Sequence, residues 1–340
     1  MIKVSKIFLI IYFLLFSLIN LFSIENPLIV ILESMSVPVV QSQTEAIIRN
    51  LDILGYVNNE NCKIIILNAE GQYDLAKELL QKLPGEKNPD IIVSNATLAS
   101  KATAEIYSKS KIPIVFVTVS DPVGAGLIEK VRQPTGTNIT GIVYSIDREI
   151  KLDLIMKVIK SKNFKRPIKV GYISTDYPSS IGELRELEIV ANKRGDIEFI
   201  SRLIPYRDDS DFELMLSEAA EQVRDLEDKI DYLWEPRGPL GESVAYTEML
   251  LKESSHMIMY GNRLDSAKLG ALIYFGPDPD VVGKEMALII KAILNGTSPG
   301  EIPPVPPEHF TLGINITSAI NENLVITTNI LELADENVFY

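Results

Sequence analysis

Short unbroken apolar runs alternate with amphipathic stretches along most of this 340-residue chain. Leu28 to Leu32, Lys63 to Leu67, Asp90 to Val93 and Ile114 to Val119 read as strands. They are rich in Val and Ile without strict alternation, the pattern of strands buried on both faces of a parallel sheet. Val39 to Leu54, Tyr73 to Leu83 and Thr97 to Ser108 repeat their apolar positions at helical spacing, with Gly55 and Pro84-Gly85 as stops. The pattern then restarts. Helix Glu149 to Ile159 leads to strand Ile168 to Ile173, helix Ile181 to Lys193, strand Ile197 to Ile204 and helix Asp211 to Leu226. Strand Ile230 to Trp234, helix Ser243 to Glu253 and strands Met257 to Tyr260 and Ala271 to Phe275 follow. Two successions of βα units predict an α/β protein of two Rossmann-like lobes, each built on a parallel sheet.

The last sixty residues add a long apolar helix, Asp280 to Leu294, a segment with four prolines, Glu301 to Pro307, and a strand, Phe310 to Ile316. The prolines read as an extended crossing. A helix and strand this late predict that the chain returns to the first lobe and crosses back, giving a multi-crossover hinge. The expected division is 25–143 with 276–306 as lobe one, and 144–275 with 307–340 as lobe two.

Ahead of the lobes, Lys3 and Lys6 precede an apolar run from Ile7 to Phe22, and Ser23 offers a small residue for cleavage. This is the layout of an export signal over 1–23. The run also nears the length that spans a bilayer, so an uncleaved anchor through 7–22 is the alternative. Either reading places the remaining chain outside the cytoplasm, periplasmic if the signal is cut.

Composition narrows the function. Hydrophobic residues make up 46% of the chain, enough for two cores. The net charge of −13, with no basic run, excludes a general nucleic-acid binder. Cys62 is the only cysteine and opens an apolar run, so it reads as a small buried hydrophobe without a disulfide. His256 and His309 stand away from predicted strand ends, too sparse for a zinc site or a nucleophilic triad. No phosphate-binding loop is present, and Gly124-Ala125-Gly126 lacks the rest of a dinucleotide fingerprint. The expectation is a monomeric binding protein, not an enzyme, with no cofactor and no metal.

In open parallel sheets, ligands bind beyond the carboxyl ends of the strands. The candidate contacts are therefore Ser34, Met35 and Ser36, then Asn95 and Thr97, then Ser120, Asp121 and Pro122. Lobe two offers Tyr177, Ser179 and Ser180, then Glu235 and Arg237, then Asn262, and Tyr144 stands just past the first crossing. Ser, Thr, Asn and Asp before a helix also serve as plain caps. Arg237 either forks onto an anionic group or pairs with Glu235 or Glu242. Tyr144 is either a cleft wall or hinge packing.

The run Ile112-Pro113-Ile114-Val115-Phe116-Val117-Thr118-Val119-Ser120-Asp121-Pro122-Val123-Gly124-Ala125-Gly126-Leu127, with Gly136 to Gly141 after it, closely resembles one family. That family is the ABC transporter substrate-binding proteins of the tryptophan/tyrosine-binding type. The resemblance continues through Leu54 to Val57, Pro89 to Val93, Gly270 to Leu272, Asn295-Gly296 and Leu331 to Asn337. It implies a ligand closed between two lobes, an amino acid or related carboxylate, and an ABC permease as partner. It also implies that Asn95, Thr97, Ser120, Asp121 and Pro122 face the cleft, and that Ser179 and Ser180 hold a ligand carboxylate. Two positions depart from the family. Asn262 stands where an aspartate would meet the ligand's amino group, and Arg237 stands where a small polar residue is common. Together they point toward a more acidic ligand or one without the amino group. A ligand-sensing receptor for a membrane signalling protein is the rival reading.

Overall fold

The structure is a computed structural model that describes residues 24–83, 88–159 and 166–340. The export signal expected over 1–23 and the Pro84-Gly85 stop lie outside the described residues.

The first sheet holds β1 (Leu28–Glu33), β2 (Lys63–Asn68), β3 (Ile91–Asn95), β4 (Ile114–Val119) and β5 (Ile139–Val143). Their order is β2-β1-β3-β4-β5, all parallel. Helices α1 (Pro38–Ile53), α2 (Tyr73–Gln81) and α3 (Thr97–Tyr107) make the crossovers. β1 and β3 are buried at every position, as their unbroken apolar runs require. β5 escapes the hydrophobic pattern because it carries Thr140 and Gly141. Thr140 Oγ1 is satisfied by the carbonyl of Ile302 at 2.7 Å, and a Cβ at Gly141 would lie 2.1 Å from the Phe116 carbonyl oxygen. A polar residue and a glycine are thus forced into a buried strand by a partner and by a close approach.

After β5 the chain passes to α4 (Arg148–Ile159) and a second sheet: β6 (Ile168–Thr175), β7 (Ile197–Ile204), β8 (Tyr232–Trp234), β9 (Ile258–Gly261), β10 (Ile273–Pro277), β11 (Phe310–Asn315) and β12 (Val338–Phe339). Its order is β12-β11-β10-β9-β8-β6-β7, parallel except that β11 runs antiparallel to β10. α5 (Pro178–Arg194), α6 (Phe212–Leu226), α7 (Val244–Glu253) and the short α8 (Leu264–Leu269) cover it. Six residues are too few for α8 to show a period in the sequence.

The late helix α9 (Pro279–Leu294) packs on α1 in the core of the first lobe, where Val282, Met286 and Ile290 join Ile47 and Leu51. The chain therefore passes between the sheets three times: after β5, at Asp278 and ahead of β11. The proline-rich return has few N–H groups to donate, and its carbonyls accept instead. Gly300, Pro304 and Val305 take N–H donors from Gly136, Arg132 and Val143 at 2.8–3.0 Å. The return strand is thereby stitched to β5 and the loop before it.

α1 and α9 meet at a glycine. A Cβ on Gly283 would fall 2.6 Å from the Ala46 Cβ and 2.7 Å from its backbone carbon. Gly283→Ala is therefore expected to pry the two helices apart and cost about 1–3 kcal/mol, the usual penalty of overpacking. Urea unfolding measures it, and an unchanged midpoint would place the helix contact elsewhere.

Candidate functional site

Both sheets share a strand order through their centres: β2-β1-β3-β4 in one and β7-β6-β8-β9 in the other. In each, the order reverses once, between β1 and β3 and between β6 and β8. Crossovers leave these points in opposite directions, so a crevice opens at the carboxyl ends of the strands. The loops at the two crevices face one another across one cavity. Lobe one supplies Met35, Val37, Val39 and Val40 after β1, Ala96 and Thr97 after β3, and Thr118 and Ser120 at the end of β4. Lobe two supplies Tyr177 and Ser179 after β6, and Arg237, Gly238, Pro239 and Glu242 after β8. The enclosed space is about 30 Å³. Small-molecule pockets begin near roughly 300 Å³, so a solute of that class enters only if the lobes part. A wider groove of about 1030 Å³ lies beside the hinge; Ser120, Asp121 and Pro122 line it together with Arg148, Ile189, Pro306 and Phe310.

The cavity wall is strained. Ala96 and Thr118 have φ of 74° and 57°, the left-handed region that a β-branched threonine seldom adopts. The Ala96 N–H bonds the Val117 carbonyl at 2.9 Å, which couples the two turns. Gly238, at φ 101°, has no room for a side chain, since a Cβ there would lie 2.3 Å from Ser180 Oγ. Thr118 Oγ1, Ser120 Oγ and Arg237 Nε are buried and have no hydrogen-bond partner among the described residues. Such groups are costly unless something else meets them.

Six of the residues singled out from the sequence line this cavity: Met35, Thr97, Ser120, Tyr177, Ser179 and Arg237. Tyr144 stands behind Arg237, its ring centre 5.4 Å from the guanidinium carbon. The others sit around the cavity in supporting contacts. Ser34 Oγ donates to the Asn95 carbonyl and accepts from the Ala99 N–H. Ser36 Oγ accepts from Asn68 Nδ2. Asn95 Nδ2 donates to the Val40 carbonyl and Thr44 Oγ1, which ties β3 to α1. Asp121 caps the Gly124 N–H and pairs with Arg185 across the lobes at 2.7 Å. The Pro122 carbonyl accepts from the Leu127 N–H. Ser180 Oγ donates to the Arg237 carbonyl at 2.7 Å. Glu235 accepts from Thr247 Oγ1 and from the Asn262 N–H, and Asn262 Nδ2 reaches Glu242 at 2.6 Å.

Arg237 is 5% exposed, so it is neither a surface residue nor paired at the surface. Its Nε lies 3.9 Å from Glu183 Oε1, and its backbone N–H donates to Glu183 Oε2 at 2.8 Å. Glu183 also has Lys151 Nζ at 3.9 Å and Arg148 Nη1 at 4.0 Å. One buried carboxylate thus faces three basic side chains. Burial, followed by the neighbouring Arg148, holds the Lys151 amine well below its usual range. It donates to Tyr260 Oη at 2.7 Å. Glu242 carries the opposite sign at the cavity. Burial pushes its carboxyl up, against the pull of Arg237 and Arg263.

The lobes also touch directly. Tyr206 Oη donates to the Gly71 carbonyl at 2.8 Å, and Tyr206 stands edge-on to Tyr177 with ring centres 4.8 Å apart. Tyr177 itself packs into the apolar cluster of lobe one that holds Met35 and Leu98.

Ala96 and Gly238 fall in strand-end loops that the sequence marks out, whereas Val37, Val39, Val40, Thr118, Pro239 and Glu183 are not among the candidate contacts it offers, and Glu242 enters there only as a partner for Arg237. Strain at Ala96 and Thr118 has no signal in residue type. The loop from Glu235 to Ser243 did offer one, since a strand-to-helix loop that carries Arg, Glu and two glycines binds more than a turn needs. Among the described residues, no group of three His, Cys, Asp or Glu is placed to hold a metal. No described helix is long and apolar enough to cross a membrane.

Replacing Thr118 with glycine separates strain from contact. Thr118→Gly is expected to stabilise the fold by about 1 kcal/mol, because glycine adopts the left-handed backbone freely. It is expected to weaken solute binding at the same time, because it removes an unpaired hydroxyl from the wall. Urea midpoints and titration calorimetry read the two effects, and unchanged binding would take Thr118 out of the site.

Comparison with known proteins places the same fold and family around this chain. A curated tyrosine-binding protein of Clostridioides difficile (strain R20291) is 26% identical over 306 residues, covering 89% of this chain and 81% of its own. A conserved domain protein of Vibrio cholerae shares the fold with a TM-score of 0.77 at 21% identity, over 93% of this chain and all of that one. An ABC domain from Streptococcus pneumonia in complex with L-Trp matches with a TM-score of 0.75 at 21% identity, with the same coverage. Residues 28–338 match the ABC transporter substrate binding protein family. The chain belongs to that family, whose members are extracytoplasmic solute-binding proteins and not enzymes.

Proposed function

We propose that the chain is the exported solute-binding component of an ABC importer. It acts as a monomer, binds an amino acid or closely related carboxylate between its lobes, and presents the closed form to a membrane permease. The observation that carries this reading is the cavity at the two opposed sheet reversals, lined by Arg237 and by the first turns of α3 and α5. Helix N-termini offer free N–H groups and a positive dipole end. With Arg237 they form a seat for a carboxylate contributed by both lobes, through Thr97 on one side and Ser179 on the other. Met35, Val37, Val39 and Val40 give the lining an apolar part that suits an apolar side chain. A ligand touching both walls stabilises closure, because only the closed form makes both sets of contacts. The likeness to proteins named for binding tyrosine and L-Trp supports the amino-acid class.

A thermal-shift series on ligand-stripped protein with tryptophan, tyrosine, phenylalanine, aliphatic amino acids and dicarboxylates tests the proposal. A true ligand at a hundredfold excess over its dissociation constant adds about 2.7 kcal/mol. Arg237→Lys keeps the charge but loses the fork, and is expected to weaken that ligand roughly tenfold or more. Cells lacking the chain should lose uptake of the same labelled solute. Full uptake without it would remove the importer role, and no shift with any amino acid would remove the ligand class.

A further inference from the structure

Asn262 is uncharged, so a ligand's ammonium group would find no counter-ion at that position. The missing charge stands elsewhere in the same wall. Glu242 is 8% exposed and lines the cavity, and Asn262 Nδ2 donates to its Oε1 at 2.6 Å. We infer that Glu242 is the acceptor for the ammonium group of the ligand and that Asn262 is its positioning residue. This rests on the amino-acid reading above and adds to it the residue that selects for the amine.

Three observations converge on Glu242. First, its carboxylate is held but not satisfied. Asn262 is the one donor to its side chain among the described residues, while a carboxylate has about four acceptor sites. Second, its setting is rigid. The Asn262 N–H is anchored on Glu235 at 2.7 Å, Arg263 Nη1 clamps the Gly241 carbonyl at 2.8 Å, and the Glu242 N–H closes on the Gly238 carbonyl at 3.0 Å. Gly241 is pressed so closely that a Cβ would lie 1.7 Å from the Pro236 carbonyl oxygen. Third, Arg237 stands five residues earlier on the same loop and at the same cavity, yet the two form no ion pair within 4 Å; the carboxylate nearest Arg237 is Glu183. Two opposite charges that face one cavity without a direct ion pair between them are complementary to a zwitterion, whose carboxylate and ammonium meet one each.

The same contact explains the amide at 262. An aspartate there would set two carboxylates against each other at hydrogen-bonding distance, and both could not stay ionised. Asn262 turns that repulsion into a donated bond. The acid at 242 and the amide at 262 are therefore one device, in which the amide after β9 orients the acid on the loop after β8.

The test is titration calorimetry with L-tyrosine and L-tryptophan against their amine-free counterparts, 3-(4-hydroxyphenyl)propionate and indole-3-propionate. The wild-type protein is expected to prefer the amine-bearing member by roughly ten- to a hundredfold, the worth of a hydrogen bond to a charged group. Glu242→Gln keeps the shape and the acceptor for Asn262. It is expected to erase most of that preference by weakening the amino acids, while the amine-free anions bind no more weakly, since a negative charge leaves the wall. Asn262→Ala should reduce the preference by less, and the double change Asn262→Asp with Glu242→Gln should restore part of it by returning the charge to position 262. Melting curves establish that each variant is folded. If Glu242→Gln keeps the wild-type preference, Glu242 is not the acceptor, although the amino-acid reading survives. If the wild-type protein binds the amine-free acids as tightly as the amino acids, no ammonium is read, Glu242 is not its acceptor, and the ligand class is carboxylates at large.

Discussion

A parallel sheet cannot cover both sides of the point where its strand order turns around. That constraint places the site. Every crossover from β1 goes one way, to β2, while the next runs back past β1 to β3. The same happens at β6, between β7 and β8. Two loops leave each reversal with helices departing to opposite faces, so their backbone N–H groups and strand-end side chains have no protein layer above them. A single lobe would leave such a crevice open to water. Three passes of chain set a second lobe in front of it, and each reversal becomes the lid of the other. The strained turns at Ala96 and Thr118 fit this picture, because the wall must turn sharply to bring β3 and β4 ends to the cavity while β4 and β5 shift register between Phe116 and Val119.

The cost of such a site is buried charge, and α5 carries most of the compensation. Its first turn lines the cavity through Ser179, and one turn further along the same face Glu183 meets Arg237, Lys151 and Arg148. Arg148 lies directly after the first crossing and also pairs with Glu186 at 2.9 Å. The charge at the cavity and the strand that forms the hinge are therefore bound to one helix. Three full positive charges against Glu183 and Glu186 would leave an excess in a water-free interior. Burial instead drives Lys151 toward its neutral amine, which still donates to Tyr260 and lies 4.1 Å from the centre of its ring. Removing any one partner from such a cluster leaves the rest unpaired, so the wall of the cavity and the hinge are expected to move as one body with lobe two.

Much of the fold was legible because buried parallel strands advertise themselves. β1, β3, β4 and β6 appear as apolar runs that could hardly be anything else, and β7 was read to its ends, Ile197–Ile204. α8 escaped because it is short, and β5 because its burial depends on partners far along the chain. Thr140 and Gly141 belong in β5 only because Ile302 and Phe116 lie against them. The site was legible at the level of loops and not at the level of side chains. Strand ends named Thr97, Ser120, Ser179 and Arg237, all on the cavity. The same rule also named Ser34, Asn95, Ser180 and Glu235, which are fully buried and spend their hydrogen bonds on backbone and neighbouring side chains. Residue type alone does not separate a polar group that faces a cavity from one that staples a helix to a strand, since both need a Ser, Thr or Asn at a strand end.

Asn262 and Arg237 show the sharper limit of reading positions one at a time. Taken singly, each removes negative or adds positive charge, and their sum leans toward an anion. In space the sum has a third member. Glu242 is twenty residues before Asn262 in the chain and 2.6 Å from it in the fold. What a site offers a ligand is the field in its cavity, and that field depends on where charges end up, not on which strand delivers them. A carboxylate on the loop after β8 gives the wall one negative group beside the positive Arg237, provided position 262 offers it a donor. Asparagine meets that condition with no change in shape, whereas a serine would be too short and an alanine would leave Glu242 without its one anchoring bond. The amide at 262 is thus better understood as the consequence of the acid at 242 than as the loss of a binding group.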